Sequence, residues 1–508
     1  MRVTSVGHAG FLIDAAGSTI LCDPWFIPAY HGSWYPFPRN DRLPEELRER
    51  IESPDYLYIS HQHADHLDFA WLADHVDRSA TVLLPDYATN ELETDLRSLG
   101  FTHFIHTKDG KPQQVTDGLE VTIHVATSIS DGPGGDSALI VLDGRERLLN
   151  QNDCHLRQVQ SLVDQGPYDY HLLQFSGAIW WPMVYEYDDD TLRAFAKEKL
   201  DGQDDRAMRY VQAINGRVVV PSAGPPAFLD EEQFHLNMID GTEISIFPDQ
   251  RHFQDLVVRA GHSSVVMLPG TSIEWSGDGL AVDHIADPDE PFDDKRTYLR
   301  TYQQDWSAWL DELKSTWPTE HTDLVATLAS WWEPLMAKAP SVCAGVGAGC
   351  LIETEGGGIY LDFPRGKVLA FDNQPYSYRF TIPRPLLEMV VADRKVDWSN
   401  SLFLSCRFRA WREGDYNEYV YAFFKSLSDE RMGRAEAEAL RAKGGTPVTE
   451  TVQLGPYTVE RWCPHRQADL SEFGEVDGDE IVCTMHGWRF NTTTGECVNS
   501  SCRPLKVF

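Results

Sequence analysis

The chain has 508 residues, of which 42% are hydrophobic and 24% are charged, a composition typical of globular proteins and not of disordered, collagenous or membrane chains. Its 44 basic and 78 acidic side chains give a formal net charge of −34, which repels polyphosphate backbones and argues against nucleic acid or an anionic membrane as the main partner. At roughly 150 residues per domain, this length predicts several domains.

The amino terminus shows no apolar run behind a basic segment, and no stretch of about 18 apolar residues occurs further along the chain. Nine cysteines in 508 residues are too few for a disulfide scaffold. We therefore expect a cytoplasmic protein without a membrane partner, in which cysteines at suitable spacing bind metal.

Residues 1–270, the first predicted domain, alternate short apolar runs with turn signals, a pattern that predicts strands. The predicted strands cover residues 3–6, 11–13, 19–22, 56–60, 81–84, 121–125, 138–142, 147–149, 171–174 and 217–220. Helix-like stretches fall between several of them, which favours a layered α/β or α+β domain.

A dense group of metal-binding residue types follows the predicted strand at 56–60, in the segment SHQHADHLD. His61 and His63 lie at the strand end, and Asp65 and His66 follow in the turn. Three imidazoles and a carboxylate at this spacing are able to converge on one or two metal ions. A lone histidine is more often structural, but four such residues within six positions indicate a metal site.

The H-x-H-x-D-H pattern of this segment resembles the metallo-β-lactamase superfamily, which implies an αββα sandwich. The segments GHAG and LCDPW resemble the opening of its ascorbate-lactonase-like branch, and this resemblance implies that His8 and Asp23 approach the metals. The segment NQNDC lies where the superfamily places its bridging aspartate, which nominates Asp153. The resemblance thus implies catalytic roles for Asp65 and Asp153.

Two further histidines of the superfamily have no obvious counterpart. Where one would follow the strand at 121–126, the chain reads TSISDGPGGD, which offers Asp131 and Asp136. Where the other would follow 218–220, the chain reads PSAGPP. The predicted ligands are therefore His61, His63, Asp65, His66 and Asp153, with His8, Asp23, Asp131, Asp136 and His155 as secondary candidates.

The middle domain is predicted to span residues 271–445. Its first part carries apolar residues at helical spacing, which predicts a packed helix face in preference to a ligand-binding surface; these are Trp306, Trp309, Leu310, Leu313 and Trp317. Strand-like runs in 341–425, with helical patches at 385–391 and 416–427, resemble the sterol-carrier α+β fold in pattern. A helix over 430–443 is expected to end in a linker near residue 445.

The third predicted domain, residues 446–508, contains a Cys-x-His pair and a Cys-x-x-His pair separated by 17 residues. The four residues are Cys463, His465, Cys483 and His486. They supply two thiolates and two imidazoles to one centre, a set that suits either a structural zinc ion or a Rieske [2Fe–2S] cluster.

The surrounding segments CPHRQADL and GWRFNTTTGE resemble the cluster-binding loops of Rieske ferredoxins and Rieske oxygenases, and this resemblance implies a small all-β domain with a [2Fe–2S] cluster. Cys497 and Cys502 lie outside both loops and are expected to be free thiols. A Rieske centre moves one electron at a time and makes no substrate bond, so another site must carry the chemistry.

Five segments of the first domain are together similar to the CMP-N-acetylneuraminate hydroxylase family, which also joins a Rieske domain to this fold. They are DPWFIPAYHGSW, YLYISHQHADHL, NQNDC, FSGAIWWPM and VVVPSAGPP. In that family the Rieske unit comes first, whereas here it comes last. The resemblance implies a lactamase-fold iron site that activates dioxygen, with electrons supplied to the cluster by an external reductase or a ferredoxin-type carrier.

Iron held by imidazoles and carboxylates suits dioxygen, whereas zinc in the same surroundings activates water for hydrolysis. Because a hydrolase has no use for an electron, the two sites together favour a non-haem iron oxygenase, either a hydroxylase or an N-oxygenase, that acts on a polar metabolite with one or two iron ions and O2. The alternatives are a zinc-dependent hydrolase with a Rieske regulatory domain, and a reductase that resembles diiron lactamase-fold flavoproteins. Electron delivery requires the Rieske unit to approach its own lactamase domain or that of a neighbour in a homo-oligomer.

Overall fold

The computed structural model of the chain describes residues 1–126, 135–156, 158–177, 179–277, 279–444, 450–465, 468–485, 487–500 and 502–508. The chain divides into two compact units, of which the first comprises residues 1–179 and 195–311 and the second comprises residues 180–194 and 312–508. None of the described helices combines the length and the apolar surface that crossing a membrane requires.

The first unit is built from strands and interspersed helices. Its strands are β1 (Arg2–Gly7), β2 (Gly10–Ala15), β3 (Ser18–Cys22), β4 (Tyr56–Tyr58), β5 (Thr81–Leu84), β6 (Phe104–His106), β7 (Gln113–Thr116), β8 (Leu119–Ala126), β9 (Asp136–Leu142), β10 (Arg147–Asn152), β11 (Tyr170–Gln174), β12 (Val218–Ser222), β13 (Ser272–Ser276) and β14 (Gly279–Asp283). Its helices are α1 (Glu45–Glu52), α2 (Phe69–His75), α3 (Glu91–Ser98), α4 (Gln160–Val163), α5 (Asp189–Ile214), α6 (Gln250–Arg259), α7 (Glu290–Asp293) and α8 (Lys295–Ser315), of which α5 begins and α8 ends in the second unit.

Two sheets form the centre of this unit. One has the strand order β14-β13-β1-β2-β3-β4-β5-β6 and the other has the order β12-β11-β10-β9-β8-β7. In the first sheet β3, β4, β5 and β6 are parallel neighbours, and in the second β10, β11 and β12 are parallel neighbours. Since the carboxyl ends of parallel strands meet at one edge, each sheet brings the loops after these strands together.

The main core of the first unit lies between the two sheets, where alternate side chains of both meet. Ile13, Tyr58, Val121, Leu139 and Leu172 are all fully buried in it. A second apolar layer covers the outer face of the first sheet, where residues of α2 and α3 pack on β2 to β5. On the outer side of the other sheet α6 packs against β12. This confirms the αββα sandwich.

The second unit contains further sheets and helices. Its elements are α9 (Leu324–Lys338), α10 (Pro340–Val346), β15 (Gly349–Thr354), β16 (Gly357–Asp362), β17 (Lys367–Ala370), β18 (Tyr378–Thr381), α11 (Arg384–Ala392), β19 (Arg409–Arg412), α12 (Glu418–Lys425), α13 (Asp429–Gly444), β20 (Thr451–Leu454), β21 (Tyr457–Glu460), α14 (Leu470–Phe473), β22 (Gly474–Asp477), β23 (Glu480–Cys483) and β24 (Trp488–Asn491). The sheets have the orders β17-β16-β15-β18-β19, β20-β21 and β22-β23-β24.

The segment 180–194 joins this second unit although it comes from the middle of the first. The Trp180 ring lies 5.4 Å from that of Phe403 and 5.7 Å from that of Tyr421. The backbone N–H of Ala410 donates to the carbonyl of Val184 at 2.8 Å, next to a parallel bridge that pairs Ala410 with Tyr185. The segment therefore lies along β19.

The strand and helix predictions compare well with these elements. Each of the ten predicted strands overlaps a strand of the first unit, and α11, α12 and α13 lie at the predicted helices. The tryptophans of α8 pack, because Trp306 and Trp309 have ring centroids 5.7 and 6.3 Å from Tyr35. Since α8 ends at Ser315, Trp317 lies beyond the predicted helix face. The predicted linker near 445 falls outside the described residues.

Candidate metal centre and cluster site

The predicted metal residues of the first unit gather where strands end. His8 lies in the turn between β1 and β2, Asp23 follows β3, and His61 comes three residues after β4. His8 and Asp23 have φ angles of 54° and 39°, in the left-handed region that non-glycine residues rarely adopt. Such strained backbone is most common at functional sites, and here it turns both side chains toward the loop of residues 60–66.

His66 is the centre of the cluster. Its Nε2 atom lies 3.4 Å from Oδ1 of Asp153 and 3.8 Å from Oδ2 of Asp65. His8 Nε2 lies 3.0 Å from the same Oδ2 atom of Asp65. His66 belongs to two groups of potential ligands, one with His8 and Asp65 and one with His61 and Asp153, and the ligand atoms of each group lie within 4.8 Å of one another. The two groups of potential ligands therefore overlap and share one imidazole.

Several atoms of this cluster are buried without a hydrogen-bond partner among the described residues. They include Nδ1 of His8 and Nε2 of His61. An unpaired buried polar atom lowers the stability of a protein by about 1–3 kcal/mol. Bringing several such atoms together therefore destabilises the fold unless a cation is bound. Imidazole nitrogens and carboxylate oxygens are the donor set of zinc and non-haem iron sites, and the residues present therefore fit such a metal.

The electrostatics of the cluster also favour a cation. Burial lowers the pKa of the His66 imidazole, but the charges of Asp153 and Asp65 outweigh this effect and raise that pKa well above its ordinary value. Burial raises the pKa of the Asp65 carboxyl, but the charge of His66 and the hydrogen bond with His8 bring it well below its usual range. Burial and the neighbouring His66 and His63 hold the pKa of His61 well below normal, so its imidazole is neutral and its lone pair is available.

Asp23 contacts Nδ1 of His66, whereas Asp65 and Asp153 face Nε2 of the same ring. Its Oδ2 atom is 3.0 Å from Nδ1 of His66 and accepts a hydrogen bond from Ser60 Oγ at 2.7 Å, while its Oδ1 atom accepts one from the Ser60 backbone N–H at 2.7 Å. A carboxylate in this position fixes the tautomer and the ring orientation of a metal-binding histidine. The structure thus gives Asp23 the geometry of an orienting group.

Replacing Asp23 by asparagine tests this role. We expect metal affinity to fall by about 10- to 100-fold, because the amide holds the His66 ring less firmly. Competition with a coloured chelator measures the change, and a thermal melt checks that the variant is folded. Asp283→Asn, at a side chain that is 76% exposed, serves as the control and should bind metal normally. Unchanged affinity in Asp23→Asn would show that Asp23 does not orient His66.

The remaining predicted ligands lie around this centre. The His63 ring is 4.4 Å from the His61 ring, but His63 is not a member of either group of three potential ligands. Half-buried His155 is not a member of either group. Asp136 approaches the far side of His61, with 3.4 Å between Oδ1 and Nδ1. Asp131 lies outside the described residues.

Tyr30 is a site residue that the sequence reasoning missed. Its hydroxyl donates a hydrogen bond to Oδ1 of Asp65 at 2.5 Å, and its φ angle is 50°. Burial and the charge of Asp65 raise the pKa of this phenol well above normal, so it keeps its proton. No spacing rule connects Tyr30 to a residue 35 positions away, and only the segment DPWFIPAYHGSW marked its neighbourhood.

The second unit brings the two predicted cluster cysteines together. Cys463 and Cys483 are both fully buried, and the Cys483 thiol is close enough to Cys463 to affect its pKa. Burial and this neighbouring thiol raise the pKa of the Cys463 thiol well above normal. Two neighbouring buried sulfur atoms fit the iron of a Rieske cluster that takes both thiolates.

His465, the cluster histidine whose position the structure describes, packs against an aromatic ring. The His465 imidazole stacks on Trp488 with ring centroids 3.6 Å apart and an angle of 5° between the planes. Glu418 Oε2 lies 3.8 Å from His465 Nε2. His486 lies outside the described residues, so three of the four predicted ligands have a described position, and their donor set fits the cluster. The other cysteines of this domain, Cys497 and Cys502, form no disulfide among the described residues.

Comparison with known protein families confirms the three domain types. Residues 2–166 match the beta-lactamase superfamily domain, residues 324–441 match the Rv3818-like, SCP2-like domain, and residues 444–508 match the Rieske [2Fe-2S] domain. The last match implies a [2Fe–2S] cluster and favours it over a structural zinc ion at this site.

Individual relatives cover the whole chain or its first part. A Rieske 2Fe-2S iron-sulfur protein of Mycolicibacterium smegmatis is 39% identical over 100% of this chain and 99% of its own length. The cytidine monophosphate-N-acetylneuraminic acid hydroxylase of Danio rerio is 25% identical over 44% of this chain and 38% of its own. A UPF0173 metal-dependent hydrolase of Aeropyrum pernix is 30% identical over 28% of this chain and 58% of its own.

Proposed function

This chain belongs to the family of Rieske 2Fe-2S iron-sulfur proteins represented in Mycolicibacterium smegmatis, and we propose that it is an oxidoreductase of the oxygenase type, in which a non-haem iron centre built around His66 works with the Rieske cluster. The observation that carries this proposal is the shared imidazole of His66 between two buried ligand groups, in a chain that also has a cluster domain. The similarity of part of the chain to a hydroxylase also supports an oxygenase.

In this proposal His8, His61, Asp65, His66 and Asp153 hold one or two iron ions. Iron bound there supplies the capacity to bind and reduce dioxygen. The chain's own residues keep the centre dry and charged, because the imidazoles of His8, His61 and His66 are buried and Asp65 stays ionised. Tyr30 holds its phenolic proton against Oδ1 of Asp65, 2.5 Å away, and so supplies a proton donor beside the carboxylate.

The reaction that we propose inserts one atom of dioxygen into a C–H or N–H bond of a polar metabolite and releases the other as water. It consumes two protons and two electrons. The electrons come from an external reductase or ferredoxin-type donor and enter one at a time through the site of Cys463, His465, Cys483 and His486. Within this reaction Asp65 and Asp153 are the carboxylates that face Nε2 of the shared imidazole.

A zinc-dependent hydrolase is the second candidate. The similarity of the first unit to a metal-dependent hydrolase favours it, and so does the donor set of imidazoles and carboxylates, which zinc accepts equally well. In that case the cluster domain has a regulatory role.

A Mössbauer spectrum of protein grown on ⁵⁷Fe and purified without oxygen separates the two candidates. We expect high-spin non-haem ferrous iron in addition to the Rieske pair, together with donor-dependent oxygen consumption once a substrate is supplied. Rieske iron alone, with zinc found by elemental analysis, would contradict the oxygenase and support the hydrolase.

A further inference from the structure

A row of buried polar side chains continues from the metal centre along the neighbouring strand ends. Since β10, β11 and β12 are parallel neighbours, the loops that follow them share one edge of the sheet with Asp153. The backbone N–H of Ala223, directly after β12, donates to the carbonyl of His8 at 3.1 Å. The loop after β12 therefore touches the turn that carries a candidate metal ligand.

Three polar side chains of this edge are buried and unpaired. Ser176, Gln203 and Ser222 are 3%, 2% and 2% exposed. The hydroxyl oxygens of both serines and both polar atoms of the Gln203 amide have no hydrogen-bond partner among the described residues. Buried polar groups of this kind cost folding free energy, and a chain retains them where a ligand supplies the missing partners.

Two of these side chains lie close to glycine backbone, and the third is in register with the strand that precedes them. A Cβ atom on Gly224 would lie 3.1 Å from Cβ of Ser176, and a Cβ atom on Gly177 would lie 2.3 Å from Nε2 of Gln203. Ser222 is the register partner of Gln174, two residues before Ser176. Glycine at 177 is thus what lets the Gln203 amide reach the loop after β11.

Helix α5 also carries an arginine on the same side as Gln203. Arg206 lies three residues after Gln203 and so on the same side of the helix. Burial lowers the pKa of its guanidinium, and the charges of Tyr210 and Asp153 oppose this shift. The Tyr210 hydroxyl donates to the carbonyl of Leu156 at 2.9 Å and fixes α5 against the loop that carries Asp153.

We propose that Ser176, Gln203, Ser222 and Arg206 form the substrate subsite of the His66 centre, and that this subsite binds a small carboxylic acid with an adjacent amide or hydroxyl group. Arginine pairs with a carboxylate through parallel hydrogen bonds, and the hydroxyl and amide groups both donate and accept. In a chain with a net charge of −34, an anionic substrate needs such a local cation. The inference deepens the proposed function and depends on it only for the identity of the reacting centre.

The test uses two matched probes, N-acetylglycinate and the neutral N-acetylglycinamide, with the full-length protein kept free of oxygen and reductant so that no turnover occurs. Isothermal titration should show that the acid binds at least about tenfold more tightly than the amide, the factor expected for a charge-assisted hydrogen bond. Arg206→Met should remove this preference, whereas Arg145→Met, at an exposed arginine of the same unit, should preserve it.

Gln203→Leu separates a ligand-binding role from a structural one. The leucine has a similar shape and removes an unpaired buried amide, so the melting temperature should stay the same or rise while both probes bind about tenfold more weakly. Gly177→Ala should weaken binding as well, because its Cβ displaces the Gln203 amide. Equal affinity for the two probes, no saturable binding of the acid, or unchanged binding in these variants would overturn the subsite.

The outcomes of this test and of the metal analysis are independent. Zinc at the His66 centre with an intact preference for N-acetylglycinate would contradict the oxygenase and leave the subsite standing. Iron and donor-dependent oxygen consumption without that preference would leave the oxygenase standing and contradict the subsite.

Discussion

Replacing His66 by alanine will remove metal from the centre, with a loss of affinity greater than about 100-fold and no detectable turnover. The reason is geometric, because His66 Nε2 faces both Asp65 and Asp153 and belongs to both ligand groups. Changes to groups that only orient a ligand already cost about 10- to 100-fold, and loss of the shared ligand costs more. Elemental analysis of the purified variant measures the effect directly.

The visible absorption of the Rieske cluster provides the internal control for this variant. It should remain unchanged in His66→Ala, since the cluster ligands belong to the second unit. His75→Ala, at a histidine with 46% side-chain exposure on α2, is the matched control and should keep its full metal content. Loss of both the metal and the Rieske absorption in His66→Ala would contradict two independent sites.

Replacing His465 by alanine should disturb the Rieske cluster and leave the metal around His66 in place. The variant should lose more than about 100-fold of its turnover with an external electron donor, because one iron of a Rieske cluster depends on its imidazoles. The metal bound around His66 should remain. Visible and electron paramagnetic resonance spectra follow the cluster, and elemental analysis follows the other centre.

His321→Ala is a suitable control for His465→Ala because His321 is an exposed histidine of the same unit. It should preserve both the spectra and the turnover. Normal donor-dependent turnover in His465→Ala would show that electrons do not enter through this site, and it would remove the main argument for an oxygenase.

The sequence predicted the strands and helices whose apolar side chains alternate or form local runs. It missed the strands that lack such a pattern. Strands such as β5 and β9 are buried along nearly their whole length, so their apolar runs are visible. The missed strands β6, β7, β13 and β14 carry mostly half-buried or exposed side chains, and they owe their conformation to pairing with a neighbouring strand. In such segments no run of buried side chains extends along the strand.

The candidate site shows the same division. His61, Asp65 and His66 were visible because they stand within one short segment, and Asp153 was found through resemblance. The contact of Asp23 with His66, the contact of Tyr30 with Asp65 and the row from Ser176 to Ser222 depend on which strand ends meet. Spacing along the chain contains no information on these contacts.

The segment 180–194 has a consequence for any attempt to divide the protein. Trp180 and Val184 are only 8% and 6% exposed, and their neighbours, Phe403 and Ala410, belong to the last third of the chain. A fragment that stops at residue 311 would retain this segment but lose its partners, leaving a tryptophan and a strand edge open to water and to aggregation. Dividing the chain at one position therefore does not yield two fragments that each fold alone, and the protein is best expressed and engineered at full length.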